Sequence, residues 1–258
     1  MGSDNFIKFL GTAGARFVVA RQLRSSAGIF LKFQGKNIIL DPGPGTIVRC
    51  AVSRPGVDVT KLDAIILTHA HIDHSNDVNI LIDAMTNGGI NKRGVLFAPG
   101  ECLNGENAVV LKYLRGFLEN VSVLEESCEY SLGDEKFRTS VRLAHPVETY
   151  GIKFNLRGMS ISFITDTKFF PELASGFENS DILIINVVIF RPVKHPHIMH
   201  LCIDDVKELV LAIKPKKVFL THFGMTMLKA KPWKVAEELT EELGVSIKAA
   251  SDGMKVDL

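Results

Sequence analysis

The chain has 258 residues, enough for one large domain or two small ones. Thirty lysines and arginines face 29 aspartates and glutamates, and the resulting net charge of +1 argues against a broad nucleic-acid or membrane footprint, though not against a local patch. No apolar stretch reaches the roughly 18 residues a membrane span needs, and Met1-Gly2-Ser3-Asp4-Asn5 lacks the basic and long apolar regions of a leader, so the expected compartment is the cytoplasm.

Strand-like runs open the chain: Phe6 to Leu10, Gly28 to Phe33 and Asn37 to Leu40, separated by glycine-containing turns at a spacing that suggests antiparallel pairing. Ala64 to Leu67 is a further buried run. Asn76 to Met85 carries Val78, Leu81, Ile82 and Met85 at helical spacing and is predicted as a helix. Asn107 to Leu118 is predicted as a second. Asp204 or Asp205 could cap a third, with Val206, Leu209, Val210 and Ile213 on one face and Pro215 stopping it. Pro232 to Leu243 is the fourth, with Gly244 just past its end. The tail from Gly253 alternates like an edge strand. No internal repeat, low-complexity tract or long linker interrupts the pattern, so the whole of 1–258 reads as a single domain of the α/β (α+β) class, its sheets covered by helices. The four cysteines, Cys50, Cys102, Cys128 and Cys202, lie far apart without a Cys-x-x-Cys pair and read as reduced thiols.

Several apolar runs end on a histidine or an aspartate. Leu40 is followed by Asp41, Leu67-Thr68 by His69, Leu143-Ala144 by His145, Ile164-Thr165 by Asp166 and Leu220-Thr221 by His222. Strand ends in a layered fold can meet along one edge, and such a cluster of imidazoles and carboxylates is costly to bury unless it binds metal. The block His69-Ala70-His71-Ile72-Asp73-His74 is the densest part. His69 and His71 can aim at one ion and Asp73 and His74 at a neighbouring one, with a helix beginning near Ser75. Imidazole with carboxylate is the ligand mix of zinc, and also of iron or manganese. One strand end cannot fill two coordination shells; His145, Asp166 and His222 stand where the remaining ligands are needed.

These pieces together resemble the metallo-β-lactamase superfamily across almost the whole chain. The resemblance implies a four-layer αββα sandwich with two divalent metal ions on its edge, zinc first among them and manganese or iron behind. By position it assigns His69, His71 and His145 to one ion, Asp73, His74 and His222 to the other, and Asp166 to a bridge between them. It gives Asp41 a supporting role behind the His block. The implied reaction is hydrolysis by a metal-bridging hydroxide, with Asp73 among the catalytic groups. The site keeps a formal charge of roughly +1, which favours an anionic substrate.

The stretch Asn186 to Leu201 resembles the matching segment of phosphodiesterase branches: the cyclic-phosphodiesterase group and, more distantly, the tRNA 3′-end processing nucleases. There His200 would protonate the leaving oxygen or bind the phosphoryl oxygen, and Arg191 would clamp phosphate. His195 and His197 read more simply as loop histidines. Gly11 and Gly14, with Arg24-Ser25-Ser26 beyond them, resemble the glycine turn of the same enzymes, where the glycines need do no more than permit a tight turn. Only about twenty residues separate His145 from Asp166, too few for the protruding arm of the tRNA nucleases. The expected substrate is therefore a small or cyclic phosphodiester or a nucleotide, with RNA second and an ester, thioester or lactone as the alternative chemistry. The resemblance also suggests a homodimer. Lys112, Tyr113 and Arg115, in the segment from Gly88 to Asp134, could reach a substrate phosphate or base but read more simply as a solvated helical face.

Overall fold

The structure, a computed structural model, describes residues 5–26, 28–156, 158–193, 195 and 197–258. The leader reading of residues 1–4 falls outside them. In chain order the strands are β1 (Phe6–Phe9), β2 (Ile29–Phe33), β3 (Lys36–Leu40), β4 (Ala64–Ile66), β5 (Val95–Pro99), β6 (Asn120–Leu124), β7 (Glu129–Leu132), β8 (Glu135–Arg142), β9 (Tyr150–Leu156), β10 (Met159–Ile164), β11 (Ile182–Asn186), β12 (Lys217–Thr221), β13 (Ser246–Ala249) and β14 (Lys255–Asp257). The chain divides into two compact units: residues 1–12, 22–124 and 251–258 form the first, residues 13–21 and 125–250 the second.

The first unit is built on a sheet ordered β14-β1-β2-β3-β4-β5-β6. The pairings from β14 to β3 are antiparallel, as the close spacing of the opening strands predicts, and those from β3 to β6 are parallel. The tail takes the edge beside β1. β4 is buried at every position, the continuous apolar run expected of a parallel strand covered on both faces. Parallel neighbours need crossovers, and the helices Thr46–Val52 and Val78–Met85 supply them between β3 and β4 and between β4 and β5. Val78, Leu81, Ile82 and Met85 pack with Ile39, Ile65, Leu67 and Leu96 into one core; Leu81→Ala there should cost about 2–5 kcal/mol.

Two helix boundaries in this unit differ from the sequence expectation. The helix begins at Val78, because Asp77 is held by other bonds: its N–H donates to Pro42 O (2.9 Å) and its carboxylate accepts from Ile47 N (3.0 Å). Asp73 and His74 lie in a separate helical turn, Ile72–Ser75, ahead of the predicted start. The predicted helix over 107–118 is only a 3-10 segment, Lys112–Phe117. Asn79 takes the groups an α-helix would need, donating to Val109 O (2.8 Å) and accepting from Leu111 N (2.9 Å).

The second unit repeats the pairing pattern on the order β7-β8-β9-β10-β11-β12-β13, antiparallel from β7 to β10 and parallel from β10 to β13. β9 ends at Leu156 and β10 begins at Met159, paired with each other, which leaves no room for an inserted arm. Ile203–Ile213 packs Val206, Leu209 and Val210 with Leu183, Ile185 and Leu220. Its N-cap is Cys202. Asp205 sits inside the first turn and accepts from Cys202 N at 2.8 Å, so neither aspartate precedes the helix; Lys214, with φ +55°, and Pro215 end it. Pro232–Leu243 forms as predicted and ends on Gly244 at φ +67°. Among the described residues no helix is long and apolar enough to cross a membrane.

Candidate functional site

In the first unit β3 and β4 are parallel neighbours, so the residues that follow them emerge at the same sheet edge. Asp41 follows β3 and Thr68 and His69 follow β4. Asp41 is buried and receives three donors: Thr68 N on Oδ1 (2.7 Å), and Thr68 Oγ1 (2.7 Å) and His74 Nδ1 (3.0 Å) on Oδ2. With the Thr68 hydroxyl proton directed to the carboxylate, the contact at 2.9 Å from Thr68 Oγ1 to His69 Nδ1 runs the other way, the imidazole donating. Both rings thus carry their proton on Nδ1 and present the Nε2 lone pair, the form in which a histidine ligates metal. Asp41, His69 and His74 offer ligand atoms within 4.8 Å of one another, but the Asp41 oxygens face hydrogen-bond donors, so its place is behind the imidazoles. His71 starts the Ile72–Ser75 turn and its ring lies edge-on to His69 at 4.9 Å. The ring centroids of His69 and His74 are 4.1 Å apart, and Asp73 Oδ2 is 3.8 Å from His74 Nε2.

In the second unit β8 runs the same way as β10, β11 and β12, because the two antiparallel steps through β9 restore its direction. His145, Asp166, Asn186 and His222 accordingly lie at one edge. Asp166 is buried, and Asn186 Nδ2 donates to its Oδ1 at 2.9 Å. Its other oxygen is 3.5 Å from His200 Nδ1 and 3.4 Å from His222 Nε2. His145 Nδ1 donates to Met199 O (3.2 Å), which again places the lone pair on Nε2. The His145 and His200 rings lie 5.4 Å apart. The His145 loop is tied to the Asp166 loop through Ala144 N to Thr167 Oγ1 (3.1 Å) and Lys168 N to Ala144 O (2.9 Å).

Backbone geometry marks both edges. Asp41 (φ +50°) and His222 (φ +59°) hold left-handed conformations that a residue with a Cβ rarely adopts, and such strain concentrates at functional sites. The opening glycines serve close approach, with no positive φ at either. A Cβ on Gly14 would lie 2.1 Å from the His222 carbonyl oxygen, and one on Gly11 would lie 1.7 Å from Ser26 O. The Ser25 region is fixed by Asp252, whose carboxylate accepts from Thr12 Oγ1 and Ser25 N, each at 2.7 Å.

Each unit therefore gathers its own share of the predicted residues: Asp41, His69, His71, Asp73 and His74 in the first, His145, Asp166, His200 and His222 in the second. Arg191 is exposed and stacks on Phe190, 5.6 Å from guanidinium carbon to ring centroid. His195 and His197 are exposed and pair with each other across 5.5 Å. Arg115 donates to Leu103 O and Val110 O, which makes it a clamp on its own segment, while Lys112 and Tyr113 are solvent-exposed. Sequence reasoning gave no role to Thr68, and it knew Asn186 only as part of a longer resemblance. The sequence offers only a weak signal for either, a polar hydrogen-bonding residue at the end of an apolar strand; that the neighbouring strand ends on aspartate is seen from the pairing.

The donor set fits divalent metal. Imidazoles oriented by a carboxylate, a hydroxyl and a carbonyl, together with a buried aspartate, make up the borderline-hard N/O environment that zinc, iron and manganese share.

The description "Beta-lactamase superfamily domain" belongs to the family model that matches residues 36–223. The uncharacterized protein MJ1374 of Methanocaldococcus jannaschii is 31% identical over 98% of this chain and 94% of its own. Ribonuclease Z of Clostridium tetani is 24% identical over 84% of this chain and 88% of its own. Among solved structures, the metallo-β-lactamase fold protein YhfI of Bacillus subtilis superimposes with a TM-score of 0.80 at 16% identity, covering 98% of this chain and 99% of that one. A diphosphatase of the PhnP family gives a TM-score of 0.72 at 24% identity, covering 98% of both. The α/β metallo-β-lactamase fold implied by the histidine block is thus the fold observed, and the chain belongs to the metallo-β-lactamase superfamily of metal-dependent hydrolases.

Proposed function

We propose that residues 1–258 act as a single domain and hydrolyse a phosphodiester with two divalent metal ions, zinc first among the candidates. His69, His71 and His145 would hold one ion, Asp73, His74 and His222 the other, and Asp166 both. Such ions lower the pKa of bound water towards neutrality and polarise a phosphoryl oxygen. The chain's own groups do the rest. Asp41 and Thr68 hold His74 and His69 in the tautomer that presents Nε2. Asn186 fixes the rotation of Asp166. His200, beside the same carboxylate, is placed to give a proton to the leaving oxygen, and the exposed Arg191 guanidinium is available to a phosphate. The observation that carries this reading is the convergence of His200 and His222 on one oxygen of a buried aspartate whose other oxygen Asn186 already holds.

Bis(p-nitrophenyl) phosphate and a cyclic phosphodiester should be hydrolysed when zinc or manganese is added, and Asp166→Ala should abolish both activities. Robust ester, thioester or lactone cleavage without phosphodiester turnover would refute the proposal. A second reading, cleavage of RNA, is favoured by the similarity to ribonuclease Z along 84% of this chain. An RNA substrate with a 3′ extension in the same assay separates it from the first.

A further inference from the structure

In the second unit, β8 and β9 pair so that Arg138 and Lys153 stand directly opposite one another. Opposed residues of an antiparallel pair leave the same face of the sheet, and like charges so placed destabilise it. The nearest acid across the other ladder, Glu129 of β7, faces Arg138 but is engaged by Lys136 Nζ at 2.6 Å. Among the described residues neither cation has a carboxylate at ion-pair distance. Arg138 Nε donates to Ser127 O (3.2 Å) and Lys153 Nζ to Glu178 O, both neutral carbonyls. Burial pushes the Lys153 ammonium below its usual pKa, against the opposing pull of Glu178. Around the pair opens a groove of about 400 Å³, lined also by Ser127, Asn155, Ser175, Asn179 and one acid, Glu178, within the size range of small-ligand pockets.

We propose that this groove is an anion site that takes a phosphate group between Arg138 and Lys153. The guanidinium offers a two-pronged donor, the ammonium a point charge, and the Ser127, Asn155 and Asn179 side chains neutral donors, the Ser175 hydroxyl being already given to Glu172 O (2.7 Å). An anion there removes the repulsion that the cross-strand pair otherwise carries. Arg138 lies four positions before the end of β8 at Arg142, roughly 13 Å along the strand, and His145 follows beyond a turn in which its N–H donates to Leu143 O (3.0 Å). A small phosphodiester at His145 does not span that distance. The bound phosphate is therefore either a more distant phosphate of a polynucleotide or part of a separate phosphorylated small molecule.

The test is binding, read without turnover, so it stands apart from the proposed reaction. Inorganic phosphate titrated into the metal-loaded protein should shift the backbone amide signals of 127, 138, 153 and 155, and the Arg138→Gln/Lys153→Gln variant should bind it at least about 10-fold more weakly. Glu178→Gln, which only removes a negative charge from the rim, should tighten binding. In phosphate-free buffer Lys153→Gln should raise Tm by about 1–3 °C as the repulsion is relieved. A labelled single-stranded oligoribonucleotide distinguishes the sources. If its phosphates fill the groove, the double variant lowers the salt slope of its binding by about 1.4 for two lost contacts. If a small molecule does, oligonucleotide binding is unchanged while phosphate binding is lost. Absence of groove shifts at millimolar phosphate overturns the proposal, as does phosphate binding that survives the double variant.

Discussion

Asp41→Asn changes one atom and inverts a chain of hydrogen bonds. The carboxylate accepts from Thr68 N, Thr68 Oγ1 and His74 Nδ1. An asparagine must keep its carbonyl oxygen towards Thr68 N, because that backbone group can only donate. Its NH2 then replaces Oδ2 and donates where the aspartate accepted. The Thr68 hydroxyl is forced to accept from it and to donate to His69 Nδ1, and His74 Nδ1 must accept as well. Both imidazoles move their proton to Nε2, the atom proposed to hold metal. Loss of one such outer partner costs about 10- to 100-fold in metal affinity, or about 1.4–2.7 kcal/mol, and here two ligands are affected at once. The fold should persist, since shape and burial are unchanged. Zinc affinity by competition with a chromophoric chelator, alongside Tm of the metal-free protein, measures the two effects separately. Wild-type zinc affinity in a well-folded Asp41→Asn protein would refute the tautomer argument and return Asp41 to a purely architectural role.

Three other perturbations follow from the structure. Gly14→Ala forces a Cβ against the His222 carbonyl, so it should destabilise the fold by about 1–3 kcal/mol and weaken metal binding with it; an unaltered Tm by calorimetry would show that this backbone yields freely. The Asp181 carboxyl is held below its usual range by the Lys216 ammonium and by Ser160 N and Oγ. A lowered folded-state pKa contributes stability that is present above the unfolded value of about 3.9 and lost as pH falls through the folded value, so Asp181→Asn should flatten the acid limb of Tm against pH below about pH 4, and an acid limb as steep as wild type contradicts this. Burial pushes the Cys50 thiol up to about 12 and the Cys202 thiol up to about 11, and Cys102 is fully buried, so iodoacetamide at pH 8 should label only the half-buried Cys128 in the native protein. Peptide mass mapping that finds native Cys50 labelled would contradict the burial seen here.

The apolar runs were legible because a parallel strand buried on both faces has no alternation to hide it, and β4 with Leu67 after it reads as such in four letters. The residues at the strand ends were legible as a set: one histidine or aspartate closing an apolar run says little, but five such runs in one chain point to a common edge. The helix over 107–118 was misread because its end is decided by Asn79, 30 positions away in sequence, which claims Val109 O. The Cys202 cap was missed because cysteine rarely takes that position, and Asp205 offered a better match one turn too late. Thr68 and Asn186 have ordinary composition for their places. Their roles appear only once β4 is set beside β3 and β11 beside β10.

The two sheets share more than a pairing pattern. In each, the strand at which antiparallel pairing gives way to parallel is followed by a buried carboxylate: Asp41 after β3, Asp166 after β10. In each, the next parallel strand leads to the residue that hydrogen-bonds it: Thr68 just after β4, Asn186 at the end of β11. Parallel neighbours finish at the same edge, so an end residue of one is held within reach of an end residue of the other whatever their identities. That rule fixes the meeting place and leaves the chemistry open. Asp41 meets three donors and is confined to orienting histidines. Asp166 meets one amide and turns its second oxygen to His200 and His222. The duplication lies in strand pairing, which constrains which positions meet and not which side chains occupy them, and so it leaves no repeat in the sequence.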